Sequence, residues 1–488
     1  MNTPYTPIGS GLNLTAPPNQ MDPGAALLCV NYETPDTGGY RSISGYQLFG
    51  DGEVPGTGPI LGLTVFQGKA FAIRVNGSVA RLCYSDGASW TTVSGNLPIG
   101  TYRFASGNFY ALASSESLFM VCDQGKPWKW DGSALTEISD AMSGAAFIEV
   151  HTNRLFLGFE AGSIQYSSLG DPAGWDAVSG GAGEIGVSDS VTALSSTIGV
   201  LVIGCKNSIQ LLYGETDSDY VRKDYARGAG ITADTMAVLG TTPIFKSERG
   251  LTSLQAVQTF GDFEMGDWAR HVAPFFESLA SPVCTMISRS RNQYRMFFSD
   301  KTALLATFSG SKLAGITSAA YPDAVTKCAS GDDEQGGELS VFADDAGQVF
   351  RMDTGTSFNG QAINTYLTLA YNHFGSPVVR KRFRRAYLDI QAQDAIDISL
   401  LPTFDFGDER IPRHGVQFTQ ALAAGGLWGI DTWGGFAWGT PILDMRNIHI
   451  AGSGTHLGVV ISTSSVTAKP HTLLGYTAQF DARRLKRG

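Results

Sequence analysis

The sequence is poor in charge and has no long apolar run. Only 16% of its 488 residues are Asp, Glu, Lys or Arg, against about 25% in an average soluble domain. No stretch approaches the roughly 20 apolar residues that a membrane-spanning helix needs. The start, Met1-Asn-Thr-Pro-Tyr-Thr-Pro7, lacks the basic and apolar segments of a signal peptide. We therefore expect no membrane span, and synthesis in a reducing cytoplasm.

Residue patterns typical of metal sites, disulfide frameworks and acyl-transfer enzymes are also missing. The sequence has no C-x-x-C motif, no closely spaced histidine pair and no G-x-S-x-G nucleophile elbow. Six scattered cysteines are predicted to be reduced and mostly buried: Cys29, Cys83, Cys122, Cys205, Cys284 and Cys328. The sequence predicts no metal, no cofactor and no catalytic residue.

Glycine and hydrophobic residues are plentiful, and they recur with a period. The chain has 59 glycines and 43% hydrophobic residues, which indicates many turns and a substantial core. Between about Ile60 and Gly360, copies of about 40 to 48 residues repeat an apolar strand, a turn, a second strand and a polar close. The copies open at Ile60, Thr101, Ala146, Val191, Thr235, Val283 and Ala324. This spacing predicts a mainly β fold with a propeller-like repeat of about six to seven four-stranded blades.

The turns within the copies support this interpretation. In the first copy, Gln67-Gly68 and Asn76-Gly77 separate three apolar strands, and Asn-Gly predicts a type I′ hairpin turn. Three later turns place Asp and Gly beside a tryptophan: 84–90, 128–132 and 169–175. We expect these indole rings to pack between neighbouring blades.

Three regions are predicted along the chain. Residues 1–58 form an extended N-terminal arm with one hairpin, 59–360 the propeller-like domain, and 361–488 a C-terminal β-sandwich that contains a Gly/Trp-rich stretch, 425–438. We expect residues 3–50 to reach onto the sandwich or onto a neighbouring subunit. Apolar residues at helical spacing predict one short helix over 267–279, strained by Pro274.

Basic residues concentrate in two short runs near the C-terminus. The runs hold nine of the 35 basic residues: Arg380, Lys381, Arg382, Arg384, Arg385, Arg483, Arg484, Lys486 and Arg487. One interpretation is a face that docks on an acidic ring or touches phosphate. The other is an edge strand whose charges prevent aggregation, followed by a frayed tail. The sequence leaves both open.

Two motifs in the sequence are similar to those of enzymes, one to dinucleotide-binding enzymes and the other to sialidases. Gly181-Ala-Gly-Glu-Ile-Gly186 matches a dinucleotide fingerprint, but the flanking residues predict a structural loop rather than a helix start. The Asp-Gly-Trp turns are similar to the Asp-boxes of sialidase propellers, which also need converging arginines and a tyrosine nucleophile. Candidates exist in Arg74, Arg81, Arg103, Arg154 and Tyr294, yet nothing in the sequence brings them together. The carboxylate pairs Asp332-Asp333 and Asp344-Asp345 are predicted to be solvated turns.

Several segments resemble the tail nozzle proteins of short-tailed bacteriophages, the family of tubular tail protein B or packaged-DNA stabilisation protein. The resemblance rests on Gly11-Leu-Asn-Leu-Thr-Ala-Pro-Pro18, Asp22-Pro-Gly24, Gly38-Gly-Tyr-Arg-Ser-Ile-Ser-Gly45, Asn153-Arg-Leu-Phe-Leu-Gly158 and Tyr166-Ser-Ser-Leu-Gly-Asp-Pro-Ala-Gly-Trp175. It covers roughly the first 360 residues and thins out in the C-terminal third.

This resemblance implies a structural virion protein and not an enzyme. It implies a homohexameric ring at the tail tip, attached to a head-to-tail adaptor ring below the portal, which retains DNA and passes the genome along its axis without reading its sequence. Tail fibre, tailspike or needle proteins are further implied partners. The formal charge of −10 suits a wall along which a polyanion slides. The alternative is a propeller that binds or cleaves glycans, as a tail protein that contacts the host.

Overall fold

The computed structural model describes residues 2–109, 116–178, 181–197, 199–248, 250–257, 262–267, 272–278, 280–310, 312–407, 415–421 and 442–485. These residues form an almost entirely β structure with one short helix. The predicted mainly β fold with a propeller-like repeat is therefore confirmed.

The N-terminal arm contributes five short strands. They are β1 (Tyr5–Pro7), β2 (Ala26–Val30), β3 (Tyr32–Glu33), β4 (Tyr40–Ser42) and β5 (Tyr46–Leu48). The predicted hairpin is limited to β3 and β4, which pair through Tyr32 and Ser42. The other arm strands pair with distant parts of the chain.

Seven successive units follow. The first three contain β6 (Ile60–Phe66), β7 (Lys69–Asn76), β8 (Val79–Ser85) and β9 (Thr91–Thr92); β10 (Tyr102–Gly107), β11 (Ser117–Cys122), β12 (Trp128–Trp130) and β13 (Leu135–Glu137); and β14 (Phe147–His151), β15 (Arg154–Phe159), β16 (Ser163–Tyr166) and β17 (Gly183–Gly186). The next two contain β18 (Val191–Thr197), β19 (Val200–Cys205), β20 (Ser208–Tyr213) and β21 (Val221–Arg227); and β22 (Ala237–Leu239), β23 (Thr242–Ser247), β24 (Gly250–Val257) and β25 (Asp262–Asp267).

The last two units come after the helix α1 (Ala273–Ser278). They contain β26 (Pro282–Ser288), β27 (Gln293–Phe298), β28 (Thr302–Ser309) and β29 (Lys312–Ala320), and then β30 (Lys327–Asp332), β31 (Glu338–Ala343) and β32 (Val349–Met352). Helix α1 lies within the predicted helix 267–279; Asp267 belongs to β25, and residues 268–271 and 279 lie outside the described residues. Pro274 is the second residue of α1, where the missing N–H has no helical partner to lose, so the predicted strain does not arise.

The units are arranged as blades around a ring. Within each unit every strand pairs antiparallel with the next. The first strand of a blade contacts the neighbouring blade, and β30 contacts β6, so the succession closes. The seventh blade obtains its fourth strand from the arm, because β5 pairs with β32. There Tyr46 is fully buried, and its ring stacks on Phe358 at a centroid distance of 5.1 Å.

Apolar clusters fill the spaces between adjacent blades. Trp130 packs in the cluster between the first and second blades, and Trp175 in the one between the second and third. Trp90 lies between the seventh and first blades, with its ring 6.3 Å from that of Phe49. The predicted packing of these rings between blades is confirmed.

Two tight turns show how local residues fix the hairpins of the first blade. Gln67 and Gly68 both have positive φ, 47° and 79°, as a type I′ turn requires. Asn76 instead stays in β7, and the loop is Gly77-Ser78 with positive φ at Gly77. That is the type II′ pattern, so the type I′ prediction for Asn-Gly is wrong.

The C-terminal strands form a sandwich of two sheets. They are β33 (Ile363–Leu369), β34 (Val379–Ala392), β35 (Ile396–Phe404), β36 (Gln417–Ala421), β37 (Ile442–Gly454), β38 (Leu457–Ser465) and β39 (Thr472–Leu485). One sheet has the order β3-β4-β39-β34-β37, with β1 also on β39, and the other has the order β26-β27-β28-β29-β2-β33-β38-β35-β36. The Gly/Trp-rich stretch 425–438 lies outside the described residues.

The nine-stranded sheet joins the propeller to the sandwich. Strand β2 lies between β29 of the sixth blade and β33 of the sandwich. The largest apolar cluster likewise extends from Tyr294 and Phe308 in the sixth blade to Phe383 and Phe480 in the sandwich. The prediction that the arm reaches onto the sandwich is confirmed, within the same chain.

Candidate docking surface

Most of the predicted basic residues lie on one face of the shorter sandwich sheet. Along β34 the side chains alternate, so that Arg380 and Arg382 are exposed whereas Lys381 and Phe383 are buried. The pairing of β34 with both neighbours shifts between Phe383 and Arg385. Such a bulge re-aims side chains, and both Arg384 and Arg385 are exposed.

These arginines line an open groove together with residues of the two flanking strands. The groove measures about 990 Å³ and is lined by Arg380, Arg382, Phe383, Arg384, Arg385, His449, Ala451, Gly452, Ser453, Gln479 and Arg483. We call this set the arginine face. No pattern in the sequence points to His449, Ser453 or Gln479, because these residues reach the groove through the pairing of strands that are far apart in the chain.

Among the described residues, one carboxylate, that of Asp481, pairs with the arginine face. Arg384 donates through Nε to Asp481 Oδ2 at 2.8 Å, and its Nη2 lies 2.7 Å from the same oxygen. Arg380 Nη2 donates to the Ser453 hydroxyl at 3.2 Å. Within the described part of the chain, Arg382, Arg385 and Arg483 have no carboxylate partner. The face therefore presents uncompensated positive charge.

Lys381 does not belong to this face. Its side chain is 2% exposed, and Nζ donates to the carbonyl oxygens of Ser376, Val379 and Thr455 at 2.7, 3.1 and 3.2 Å. Burial lowers the pKa of this ammonium, and Asp405 partly offsets the effect. Its inclusion among the docking residues is wrong, because a run of basic residues on a strand must alternate between the two faces.

Two further points concern the predicted basic runs. Strand β34 is flanked by β37 and β39, so the edge-strand interpretation of the first run is wrong. In the second run, Arg483 is exposed. Of Arg484 only the strand backbone is described, and Lys486 and Arg487 lie outside the described residues.

Of the arginines considered for a sialidase-like site, Arg74 and Arg81 are cross-strand neighbours in the first blade, whereas Arg103 and Arg154 lie on the second and third blades. Arg74 donates Nε to the carbonyl of Gly58 at 2.7 Å, and Arg154 donates Nη1 to that of Ser167 at 2.7 Å. Arg103 forms a two-pronged ion pair with Asp234, at 2.8 and 2.9 Å. Tyr294 is buried and donates to the carbonyl of Thr235 at 2.6 Å. Arg81 lies on β8 of the first blade. The five groups therefore do not converge on one site.

The glycine-rich motif, the carboxylate pairs and the cysteines also have structural surroundings. Gly183 to Gly186 form β17, so the loop prediction is wrong there, and the next element is β18 rather than a helix. Asp333 accepts the backbone N–H groups of Gln335 and Gly337, and Asp344 accepts that of Gln348. Within the described ranges no three His, Cys, Asp or Glu side chains are grouped to hold a metal ion. All six cysteines lie in the described part and are free; five are buried.

No helix in the described part of the chain is long and apolar enough to cross a membrane.

Comparison with known proteins adds little. No family model matches the chain, and no curated protein matches it. Similar solved structures include the computationally designed Ika8 protein, at 13% identity and a TM-score of 0.38, covering 63% of this chain and 99% of that one. A chain of the Mitotic Checkpoint Complex is 12% identical, with a TM-score of 0.41, covering 62% of this chain and 90% of that one. These scores carry no functional argument.

Proposed function

We propose that this chain is a structural virion protein, the tail nozzle of a short-tailed phage. Six copies form a ring that attaches to the head-to-tail adaptor, retains packaged DNA and serves as its conduit during ejection. The observation that carries the proposal is the arginine face of the sandwich, set on a chain that is otherwise acidic.

Charge is divided unequally along the chain. Residues 1–360 hold 22 Lys and Arg against 36 Asp and Glu, whereas residues 361–488 hold 13 against 9. An acidic wall repels phosphate over about a Debye length of 8 to 10 Å, so that DNA slides without being bound. A basic end is attracted to an acidic partner, which speeds association. The two regions therefore suit the conduit and the attachment, respectively.

A conduit under internal pressure also has to be stiff. The nine-stranded sheet and the shared apolar cluster fix the sandwich to the fifth and sixth blades. Load applied to the arginine face passes directly into the propeller, because closely packed interiors transmit strain. This coupling supports a role in an assembly better than a role as a freely hinged binding module.

Mixing the purified chain with the adaptor protein of the same particle tests the proposal. We expect negative-stain images to show six-fold rings, and Arg382→Ser, Arg384→Ser and Arg385→Ser together to abolish them. The matched control replaces Arg222, Lys223 and Arg227, exposed basic residues of β21, by Ser; it removes the same charge and is expected to leave the rings intact.

Three results would contradict the proposal. A chain that stays monomeric beside its adaptor is not a nozzle. Hydrolysis of a sialoside or of a host glycan by that monomer would favour the glycan-cleaving alternative. Unchanged assembly and DNA retention in the Arg382, Arg384, Arg385 variant would exclude docking through the arginine face.

A further inference from the structure

A second concave surface lies in the angle between the sixth and seventh blades and the sandwich. It is an open cleft of about 1510 Å³ on the outer side of the nine-stranded sheet. Its described lining contains Ser, Thr, Asn, Gln, two tyrosines and several apolar residues, and among these described residues Asp397 is the one charged side chain and Lys, Arg and His are absent. Its chemistry is therefore the opposite of that of the arginine face.

Strand register turns part of this lining into a trough. Cross-strand pairing places five residues in one row across β2, β33, β38, β35 and β36: Val30, Tyr366, Ser462, Ser399 and Phe418. The two serines form the floor between the rings of Tyr366 and Phe418. Three strand spacings separate those two rings, which is about 14 Å.

Polar side chains surround the trough without partners of their own. On the same faces, Asn364 lies opposite Ser464, and Asp397 precedes Ser399 by two residues along β35. In the described part of the chain, the side chains of Ser399, Ser462, Ser464 and Asp397 make no hydrogen bond. Phe418 is 78% exposed. An exposed ring beside a row of free hydroxyl groups is an arrangement that the fold itself does not require.

We propose that this trough binds a neutral oligosaccharide. Sugar rings offer apolar C–H faces that pack on aromatic rings, and hydroxyl groups that bond to serine, asparagine and carboxylate oxygens. The described lining residues include no cationic side chain, which matches an uncharged ligand and disfavours phosphate, the ligand that arginine and lysine bind. We propose binding without cleavage, since two-carboxylate hydrolysis needs a second acidic group and Asp397 is the one acidic side chain among the described lining residues. The proposal stands independently of the nozzle assignment.

Isothermal titration of the full chain with neutral hexasaccharides tests this site. The probes are maltohexaose, cellohexaose and chitohexaose, with hexagalacturonate as the charged comparison. We expect at least one neutral probe to bind with a Kd of about 1 mM or tighter, and hexagalacturonate to bind less tightly. Phe418→Ala should weaken binding by about tenfold through loss of the stacking ring. Ser462→Arg, which fills the floor, should abolish it.

The matched control is Phe406→Ala, which removes an exposed phenylalanine outside the trough and should leave binding unchanged. Failure of the wild-type chain to bind any neutral probe would overturn the proposal. So would equal affinities in wild type, Phe418→Ala and Ser462→Arg. If instead the wild type self-associates and Phe418→Ala abolishes that association without any sugar binding, the trough is a contact between copies and the proposal is wrong.

Discussion

The propeller-like part and the sandwich build their sheets in opposite ways. In the propeller, strands that pair are consecutive along the chain, as in the sheet β14-β15-β16-β17. In the sandwich, β39 pairs with β34 and also with β1 and β4 of the arm. Two blades are exceptions within the propeller, because β5 of the arm completes the seventh blade and β2 of the arm pairs with β29 of the sixth. Pairing between consecutive strands produces the repeat of the propeller. Pairing between distant strands connects the N-terminal arm to the sandwich and to the blades.

We expect the largest effect from a substitution that disrupts the packing of β5 in the seventh blade. Tyr46→Ala removes a fully buried ring that packs on Phe342, Phe350 and Phe358. We expect the free energy of unfolding to fall by about 3–5 kcal/mol, the cost of a large aromatic-to-alanine change in a core. Urea denaturation measures it, with Tyr5→Ala as the control because Tyr5 is 52% exposed. A loss below about 1 kcal/mol would mean that the arm strand does not hold the blade.

The propeller and the sandwich each contain a buried histidine, so their contributions to the pH dependence of the unfolding free energy can be compared. Burial lowers the pKa of His151 in the propeller and of His471 in the sandwich to about 4. In the unfolded chain a histidine has a pKa of about 6.5. Each neutral imidazole therefore contributes fully above about pH 6.5, and this stability, about 3 kcal/mol per group, is lost as the pH falls towards 4.

The variants His151→Gln and His471→Gln isolate these contributions. Each should lose less unfolding free energy than wild type when urea denaturation is repeated between pH 6.5 and 4. Equal pH slopes for wild type and a variant would show that the histidine in question is not held neutral by the fold.

Substitutions at two adjacent residues of β34 allow the inner and outer faces of the sandwich sheet to be compared. Lys381→Met leaves three carbonyl groups without their donor, so we expect a loss of about 1–3 kcal/mol in unfolding free energy. Arg382→Met, one residue further on the exposed face, should change it by less than about 0.5 kcal/mol. Chemical denaturation distinguishes them, and equal losses would contradict the opposite orientation of the two side chains.

The smallest expected effect concerns the ion pair at the rim of the arginine face. Arg384 and Asp481 have side chains that are 53% and 36% exposed, so their coupling should be about 0.2–1 kcal/mol and should fade at high salt. A double-mutant cycle with Arg384→Ser and Asp481→Ser measures it. A coupling that persists undiminished in 1 M salt, where the Debye length is about 3 Å, would indicate a desolvated pair instead.

How far the sequence predicts the fold follows from the same difference between local and non-local pairing. Ile60 and Val191 are themselves the first residues of blades, and the other five predicted openings fall within three residues of the first strand. Hairpins depend on residues that are close together in the chain, so their repeat can be recognised from the sequence alone. The arm's pairing with β32, β33 and β39 is set by packing among residues hundreds of positions apart, which no local pattern encodes.

The candidate docking residues show the same limit on a smaller scale. The basic run 380–385 is visible in the sequence, but strand alternation buries Lys381 and a bulge exposes both Arg384 and Arg385. The serine-floored trough has no sequence signal, since Ser399, Ser462 and Phe418 come together only through the register of three strands.

A reconstruction of the intact particle's tail tests the central claim most directly. We predict that this chain appears as a six-fold ring at the tail tip, with Arg380, Arg382, Arg385 and Arg483 against the adaptor and the acidic propeller along the DNA path. The chain's absence from the tail, or a ring whose arginine face lies in solvent away from the adaptor, would contradict the account.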